Sequence, residues 1–215
     1  MKLQSDSLVD GAPMPPRYAA GRLDDSGSAG FSDNLSPHFA WSEVPPATRS
    51  FALVCRDPDV PSRGDDVNQK GREVPAALPR VDFFHWLLVD IPVTTTSLSE
   101  GALSAGFTPR GKPGPALGVP GFDGARQGLN DFTGWFAADA AMAGDYFGYD
   151  GPFPPWNDSL VHHYVFTLHA LDVERAPVHG SFTGAELLKA IAPNTLARAS
   201  LTATYTLNRR LAGAA

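Results

Sequence analysis

Proline and glycine interrupt this chain so often that only short secondary-structure elements fit between them. The 215 residues include 20 prolines and 21 glycines, and both residue types weaken or end regular elements. Between the interruptions lie four apolar runs whose aromatic, β-branched or alternating residues are typical of strands: 50–56, 83–91, 160–171 and 200–207. Pro58 is expected to end the first run. The chain is therefore predicted to be mainly β.

The clearest helix signal lies near the C-terminus. Thr183 and Glu186 have the spacing of a capping box, apolar residues follow, and Pro193 is expected to stop the helix within about three turns. A second short helical turn is expected after Asn194. The region 101–148 is rich in glycine, proline and aromatic residues, which predicts a rim that packs against the domain and carries short elements of its own.

Composition limits the class of protein. Hydrophobic residues make up 43% of the chain and charged residues 19%, as in ordinary globular proteins. No apolar run is long enough to span a membrane, and residues 1–30 lack the apolar centre of a secretory signal, so a cytoplasmic protein without stable membrane insertion is expected. One domain is predicted, in which 1–33 is an N-terminal segment packed on, or leading into, a domain at 34–215.

Charge and cysteine content exclude further classes. The chain has 17 lysines and arginines against 23 acidic residues, a net charge of −6. Because the basic residues form no long run, nucleic acid is not an expected partner. The single cysteine, Cys55, cannot form an intramolecular disulfide and is predicted to be a buried core residue.

Two aspartates follow the first predicted strand. Asp57 and Asp59 alternate with Pro58 and are followed by Pro61, and the fixed φ of proline holds both carboxylates in a rigid turn. A rigid turn at the end of a strand suits a binding site. The alternative is that both aspartates only cap the turn through their own backbone, which is common for this residue type.

Two histidines interrupt apolar strands. The period of two places His162 on the same face as Tyr164, and it places His85 on the same face as Leu87 and Val89. Taken alone, each histidine has the alternative reading of an ordinary core residue with satisfied hydrogen bonds.

A glycine and proline segment precedes His162. Gly151 permits a close backbone approach, and Pro152, Pro154 and Pro155 supply a preset wall. With the histidines, this segment predicts a small preorganised cavity.

The order of these motifs resembles that of the phosphatidylethanolamine-binding proteins, also called Raf-kinase-inhibitor-like proteins. The motifs are Asp57-Pro-Asp-x-Pro, His85-Trp, Gly151-Pro-x-Pro-Pro and His162-x-Tyr164. Together, and in this order, they are more specific than any one alone. The resemblance runs from about 34 to 207 and is greatest to the bacterial branch.

The resemblance implies a two-sheet antiparallel sandwich with short C-terminal helices and a pocket for a small anion. The implied ligand is a phosphate, a phosphorylated headgroup, a nucleotide or a phosphopeptide. No cofactor is implied, and the protein would act as a kinase-inhibitor-like regulatory module that can form a homodimer. The residues expected to bind the ligand are Asp57, Asp59, His85, Gly151, Pro152, His162 and Tyr164.

The chemistry of this set agrees with an anionic ligand. Imidazole N–H groups, the Tyr164 hydroxyl and the Gly151 amide can all donate to one oxyanion. The carboxylate of Asp57 would repel an anion, so we expect it to accept a hydrogen bond from a histidine and to favour the imidazolium form. Ligand binding is then predicted to strengthen as the pH falls through the histidine range, about 6.5.

Two other functions remain open at this level. A hydrolase would use Asp57 to orient His85 or His162 as a general base, with Tyr164 at the oxyanion. No serine or cysteine belongs to the motifs, so an enzyme is not the prediction. A metal site could form from Asp57, Asp59, His85 and His162, but these residues lack the close spacing of common metal motifs, and no metal is predicted.

Overall fold

The computed structural model describes residues 1–212 and contains, within them, twelve strands and two α-helices. The strands are β1 (Lys2–Gln4), β2 (Gly21–Leu23), β3 (Ala29–Phe31), β4 (Phe39–Ser42), β5 (Ser50–Pro61), β6 (Arg80–Pro92), β7 (Ser97–Leu98), β8 (Gly111–Lys112), β9 (Arg126–Gln127), β10 (Asp145–Tyr146), β11 (His162–Leu171) and β12 (Thr195–Tyr205). The helices are α1 (Phe132–Trp135) and α2 (Gly184–Ile191), and short 3₁₀ turns span Pro16–Tyr18 and Ala192–Asn194.

Two antiparallel sheets enclose the main core. The larger sheet has the order β12-β11-β5-β6-β9 and the smaller one β1-β4-β7. Aromatic rings meet between them: the ring centroid of Phe39 on β4 lies 5.0 Å from that of Phe166 on β11. Trp41 on β4 lies 5.3 Å from Phe51 on β5. The two-sheet sandwich expected from the sequence is therefore confirmed.

Helix α2 covers the other face of the larger sheet. Leu187 and Ile191 are buried in a cluster that includes Ala52 of β5. The predicted capping box is present, since the backbone amide of Thr183 donates to the Glu186 carboxylate at 2.9 Å. Because both faces of the larger sheet are covered, its central strands are apolar on both sides.

The first predicted strand does not end at Pro58. Strand β5 continues to Pro61, and its register against β6 shifts between Asp57 and Val60. At such a register shift a residue does not have to donate a backbone hydrogen bond to the neighbouring strand. Proline, which has no backbone N–H, is therefore tolerated there. The strand therefore carries both aspartates within an extended, bulged segment.

The helical turn predicted after Asn194 is absent from the described residues. Thr195 instead begins β12, and it pairs with Leu171 of β11. Long-range pairing with β11 outweighs the local preference. The 3₁₀ turn lies before this point, at Ala192–Asn194.

The region 101–148 packs as a rim with short elements, as predicted. Strand β9 adds to the edge of the larger sheet beside β6. The ring centroid of Phe107 lies 5.7 Å from Phe132 and 6.2 Å from Phe136. Phe132 is in turn 5.1 Å from Phe83 of β6, so the aromatic rim reaches the sheet.

Residues 1–33 lie against the sandwich. Strand β1 pairs with β4, and Met14 and Tyr18 are buried in the main core. Cys55 is buried in the same cluster, as predicted. Within residues 1–212, the longest helix has eight residues, and no helix is long and apolar enough to cross a membrane.

Candidate functional site

A β-bulge sets the direction of His85. Cys55 pairs with Trp86 across β5 and β6, but the next residue, Arg56, pairs with Phe84. His85 is therefore an extra residue in its strand. Bulges of this kind turn one side chain toward the other face of the sheet.

The bulge brings His85 to Tyr164. Their ring centroids lie 5.2 Å apart in an edge-to-face arrangement. Leu87 and Val89 belong to the cluster beneath α2, on the opposite face. The prediction that His85 shares their face is wrong, because the period of two does not hold across a bulge. The prediction that His162 shares the face of Tyr164 is confirmed, since both are fully buried on β11 while His163 between them is exposed.

His162 lies between two carboxylates. Its Nδ1–H donates to Oδ2 of Asp57 at 2.7 Å, and its Nε2–H donates to Oδ2 of Asp158 at 3.1 Å. The guanidinium of Arg80 donates to both oxygens of Asp158, at 2.6 and 3.0 Å. The Asp59 amide donates to the second oxygen of Asp57, Oδ1, at 2.8 Å. The five groups form one buried or half-buried network.

The two carboxylates hold His162 in its charged form. Burial alone would lower the pKa of His162, but hydrogen bonds to Asp158 and Asp57, and their negative charge, raise it to about 9. Burial would raise the pKa of Asp158, but hydrogen bonds from His162 and Arg80 lower it. His162 is therefore an imidazolium at neutral pH, and its charge compensates that of Asp57.

His85 is held differently. Its Nδ1 lies 2.8 Å from the carbonyl oxygen of Asp150, which can only accept, so Nδ1 carries the proton. Within residues 1–212, Nε2 has no hydrogen-bond partner, and a molecule the size of water can reach it. Burial lowers the pKa of His85 despite the nearby Asp57. The ring is therefore neutral at pH 7, and its free Nε2 is an acceptor.

The Tyr164 hydroxyl is the second polar group on the same side of the cavity as His85. It lies beside the Asp57 carboxylate. Burial first, and then the negative charge of Asp57 and a hydrogen bond to it, raise the pKa of Tyr164 well above its ordinary value. Tyr164 therefore keeps its proton and can donate it in a hydrogen bond.

These groups open onto a cavity of about 200 Å³. Its polar lining is Asp57, Asn68, His85, His162 and Tyr164. Its remaining lining is apolar and largely aromatic: Val60, Pro61, Val67, Phe83, Phe132, Trp135, Phe136, Phe153, Pro154 and Pro155. The cavity can thus hold a small polar head and an apolar remainder.

Three residues predicted to bind the ligand do not line the cavity. The Asp59 carboxylate accepts from the backbone amide and from Nδ1 of His163, both at 2.8 Å. The Gly151 amide, expected to face a ligand, donates to Oδ1 of Asn34 at 2.8 Å. The Pro152 carbonyl accepts from the Gly21 amide at 3.0 Å.

Gly151 is needed for a different close approach. A Cβ atom there would overlap the carbonyl oxygen of Tyr18 and lie 2.7 Å from the hydroxyl of Tyr149. The predicted close backbone approach is therefore made by the N-terminal segment and not by a ligand.

The sequence profile of phosphatidylethanolamine-binding proteins matches residues 4–206. The chain belongs to this family. The UPF0098 protein YbhB of Escherichia coli (strain K12) is 32% identical over 205 residues, which cover 95% of this chain and 99% of YbhB. The crystal structure of Escherichia coli YbcL, described as a member of the mammalian family, superposes with a TM-score of 0.64 at 27% identity, over 95% of this chain and 97% of YbcL. A Chlamydia trachomatis protein described as a homologue of the family superposes with a TM-score of 0.61 at 25% identity, over 95% of each chain.

Within this family member, two supports of the site are not apparent from the sequence. Asp158 lies four residues before His162 and outside the strand. The alternation of side chains along the strand therefore does not predict that Asp158 contacts His162. Asp150 positions His85 through its carbonyl, while its carboxylate accepts from Asn34 and Asn130, both at 2.8 Å. Both aspartates follow turn-forming residues, a pattern that also fits ordinary turns.

Three of the four donors proposed for a metal, Asp57, Asp59 and His162, are bonded to other protein groups. Asp57 bonds His162, and Asp59 bonds His163. In the described part of the chain, no group of three or more histidine, cysteine, aspartate or glutamate side chains is arranged to hold a metal ion.

Proposed function

We propose that the protein binds a small anionic group, such as a phosphate monoester or a carboxylate that bears an apolar remainder, in the cavity of Asp57, His85 and Tyr164. The observation that carries the proposal is that His85 Nε2, which has no hydrogen-bond partner among residues 1–212, and the Tyr164 hydroxyl lie on adjacent rings in that cavity. Buried polar groups normally have partners. A bound oxyanion would accept from the Tyr164 hydroxyl and, once Nε2 is protonated, from His85.

The charge of Asp57 does not oppose this ligand. One oxygen of Asp57 accepts from the His162 imidazolium and the other from the Asp59 amide. The repulsion expected between a carboxylate and an anion is thereby offset by the positive charge of His162. His162 itself has no free N–H, so its role in binding is electrostatic.

Binding is coupled to a proton at His85. Neutral His85 offers only a lone pair at Nε2, which cannot donate to an anion. An anion beside the ring stabilises the imidazolium, which can donate. Proton uptake therefore accompanies binding, and the affinity rises as the pH falls.

The apolar walls favour an ester over the free ion. Phe83 and Phe132 lie against His85, with ring centroids 4.8 and 5.6 Å away. An aryl or alkyl remainder would bury its surface against these rings. The lining contains no serine, threonine, cysteine or lysine, so the commonest hydrolase nucleophiles are absent from it. Binding without turnover is the function proposed, as in a regulatory module.

Calorimetry tests the proposal. Phenyl phosphate, phosphorylethanolamine and inorganic phosphate are titrated between about pH 5 and pH 8, in buffers of different ionisation enthalpy that report proton uptake. We expect phenyl phosphate to bind more tightly than inorganic phosphate, and its affinity to rise as the pH falls. An affinity that is flat or increases with pH would contradict the proposal.

Two histidine variants provide the matched comparison. His85→Gln should weaken phenyl phosphate binding by about tenfold or more, since a hydrogen bond to a charged group is lost. His179→Gln changes an exposed histidine outside the cavity and should leave the affinity unchanged. Equal affinities of His85→Gln and the parent protein would place the ligand elsewhere.

A further inference from the structure

A second groove lies beside the first cavity and carries more charged side chains. Its volume is about 460 Å³. It is formed by the turn at Gly27, the loop at 71–73, the residues Trp156 and Asn157, and the chain segment 207–210. Apolar residues, among them Leu23 and Leu207, also line this groove, but unlike the first cavity it contains several arginines.

Three arginines line this groove in a chain whose net charge is −6. They are Arg72, Arg209 and Arg210, and Glu73 is the single carboxylate in the lining. Arg210 pairs with Glu73. Arg72 pairs with Asp66 at 2.7 Å, which leaves its other N–H groups free.

Arg209 provides an uncompensated positive charge. Among residues 1–212 its guanidinium forms no hydrogen bond or ion pair. It lies over the backbone of Gly27, where a Cβ atom would overlap the guanidinium carbon. Gly27 has φ +83°, so both its conformation and its lack of a side chain admit the arginine.

Two buried asparagines fix the backbone that carries these arginines. The Nδ2 group of Asn157 donates to the carbonyls of Asp66 at 2.8 Å and Arg72 at 3.1 Å. The Oδ1 atom of Asn208 accepts from the Arg210 amide at 3.0 Å, and its Nδ2 donates to the Asp158 carbonyl at 2.6 Å. The arginine backbones are therefore held before any ligand arrives, which reduces the entropic cost of binding.

The groove also presents an aromatic face. Trp156 is 36% exposed and lines the groove. Its backbone amide donates to Oδ1 of Asn68 at 3.1 Å, which anchors the residue that bears the indole. An exposed indole next to free guanidinium groups can stack on a planar ring while the arginines bind its anionic substituent.

We propose that this groove is a second ligand site, which binds a small organic phosphate that carries a planar ring, of the kind found in a nucleoside monophosphate. The phosphate takes hydrogen bonds from Arg209 and Arg72. The ring packs on Trp156. This site is distinct from the cavity at His85, since the two share no lining residue.

Nuclear magnetic resonance of the full ¹⁵N-labelled chain tests the proposal, with adenosine monophosphate as the probe. We expect saturable shifts of the Trp156 indole N–H and of the backbone amides of Gly27 and Arg209. Adenosine and inorganic phosphate, each alone, should bind at this groove at least about tenfold more weakly, since each lacks one of the two contacts. Shifts confined to residues around His85, or adenosine binding as tightly as the monophosphate, would overturn the proposal.

Charge-neutral variants complete the test. Arg72→Gln combined with Arg209→Gln should weaken the binding measured at Trp156 by at least about tenfold. Arg49→Gln removes one exposed arginine outside the groove, paired with Glu174, and should change the affinity by less than about twofold. His85→Gln should leave the groove shifts unchanged. An undiminished affinity in the double variant would refute the site.

Discussion

The Nε2 atom of His162 lies 3.1 Å from Oδ2 of Asp158, four residues earlier in the chain. With Asp57 on the other ring nitrogen, His162 has a carboxylate at each N–H. A histidine in this position cannot serve as a general base, since it has no free lone pair. It acts as a positive charge that compensates the carboxylate of Asp57.

Asp158→Asn tests whether this second carboxylate supports the fold. The substitution leaves the buried guanidinium of Arg80 without its paired carboxylate and leaves the His162 imidazolium with Asp57 alone, so the free energy of unfolding should fall by about 3 kcal/mol. Urea denaturation measures the change. Asp82→Asn, which breaks the exposed pair with Arg56, should cost less than about 1 kcal/mol. Similar small losses in both variants would argue against a structural role for Asp158.

The raised pKa of His162 predicts a loss of stability in alkaline solution. Its folded value of about 9 lies above its ordinary value of 6.5. The stabilisation is therefore complete below pH 6.5 and is lost as the pH rises through about 9. A difference of this size is on the order of 3 kcal/mol.

Urea midpoints as a function of pH measure this effect. The parent protein should lose stability between about pH 6.5 and pH 9, and His162→Gln should lack that part of the slope. A parent stability that stays level over the same range would show that His162 is not charged in the folded protein.

The central strands could be predicted because their signal is local. Alternation of apolar residues in 160–171 and 200–207 is visible in the sequence, and both runs fall on paired strands, β11 and β12. The end of β5 could not be predicted, because Pro58 is tolerated only through a register shift against β6. That shift depends on the partner strand.

The residues of the site could likewise be predicted only where their signal is local. Asp57, His162 and Tyr164 are found from motifs on or beside strands, and they do line one cavity. The orientation of His85 depends on a bulge, and the Asp158 contact depends on a loop folding back onto β11. Neither relationship can be read from the alternation of residues along a strand.

The buried residue His169 should make the protein less stable in acid. It lies opposite Arg198 on β12, and burial first, then the arginine charge, lower its pKa to about 4. The unfolded chain binds a proton at His169 near pH 6.5 and the folded chain only near pH 4, so this residue reduces stability as the pH falls between these values.

His169→Leu should remove this acid dependence. The substitution also removes Nδ1, a buried atom without a hydrogen-bond partner in the described residues, so the variant should be more stable than the parent by about 1 kcal/mol even at neutral pH. Thermal unfolding at several pH values measures both effects. His179→Gln, at an exposed histidine, should unfold like the parent throughout, and a less stable His169→Leu would contradict the interpretation.

Tyr164→Phe separates ligand binding from folding. The Tyr164 hydroxyl lines the cavity beside Asp57, whose carboxylate keeps the His162 imidazolium and the Asp59 amide as donors, so its removal should change the free energy of unfolding by no more than about 1 kcal/mol. The same removal should weaken phenyl phosphate binding by about tenfold, because one donor to the anion is lost. Tyr205→Phe is the matched control on the neighbouring strand: its hydroxyl donates to the Gly21 carbonyl at 2.9 Å, so this variant should lose about 1 kcal/mol of stability and keep its ligand affinity. If Tyr164→Phe instead destabilised the protein and bound the ligand normally, the hydroxyl would be structural and the anion would have to lie elsewhere.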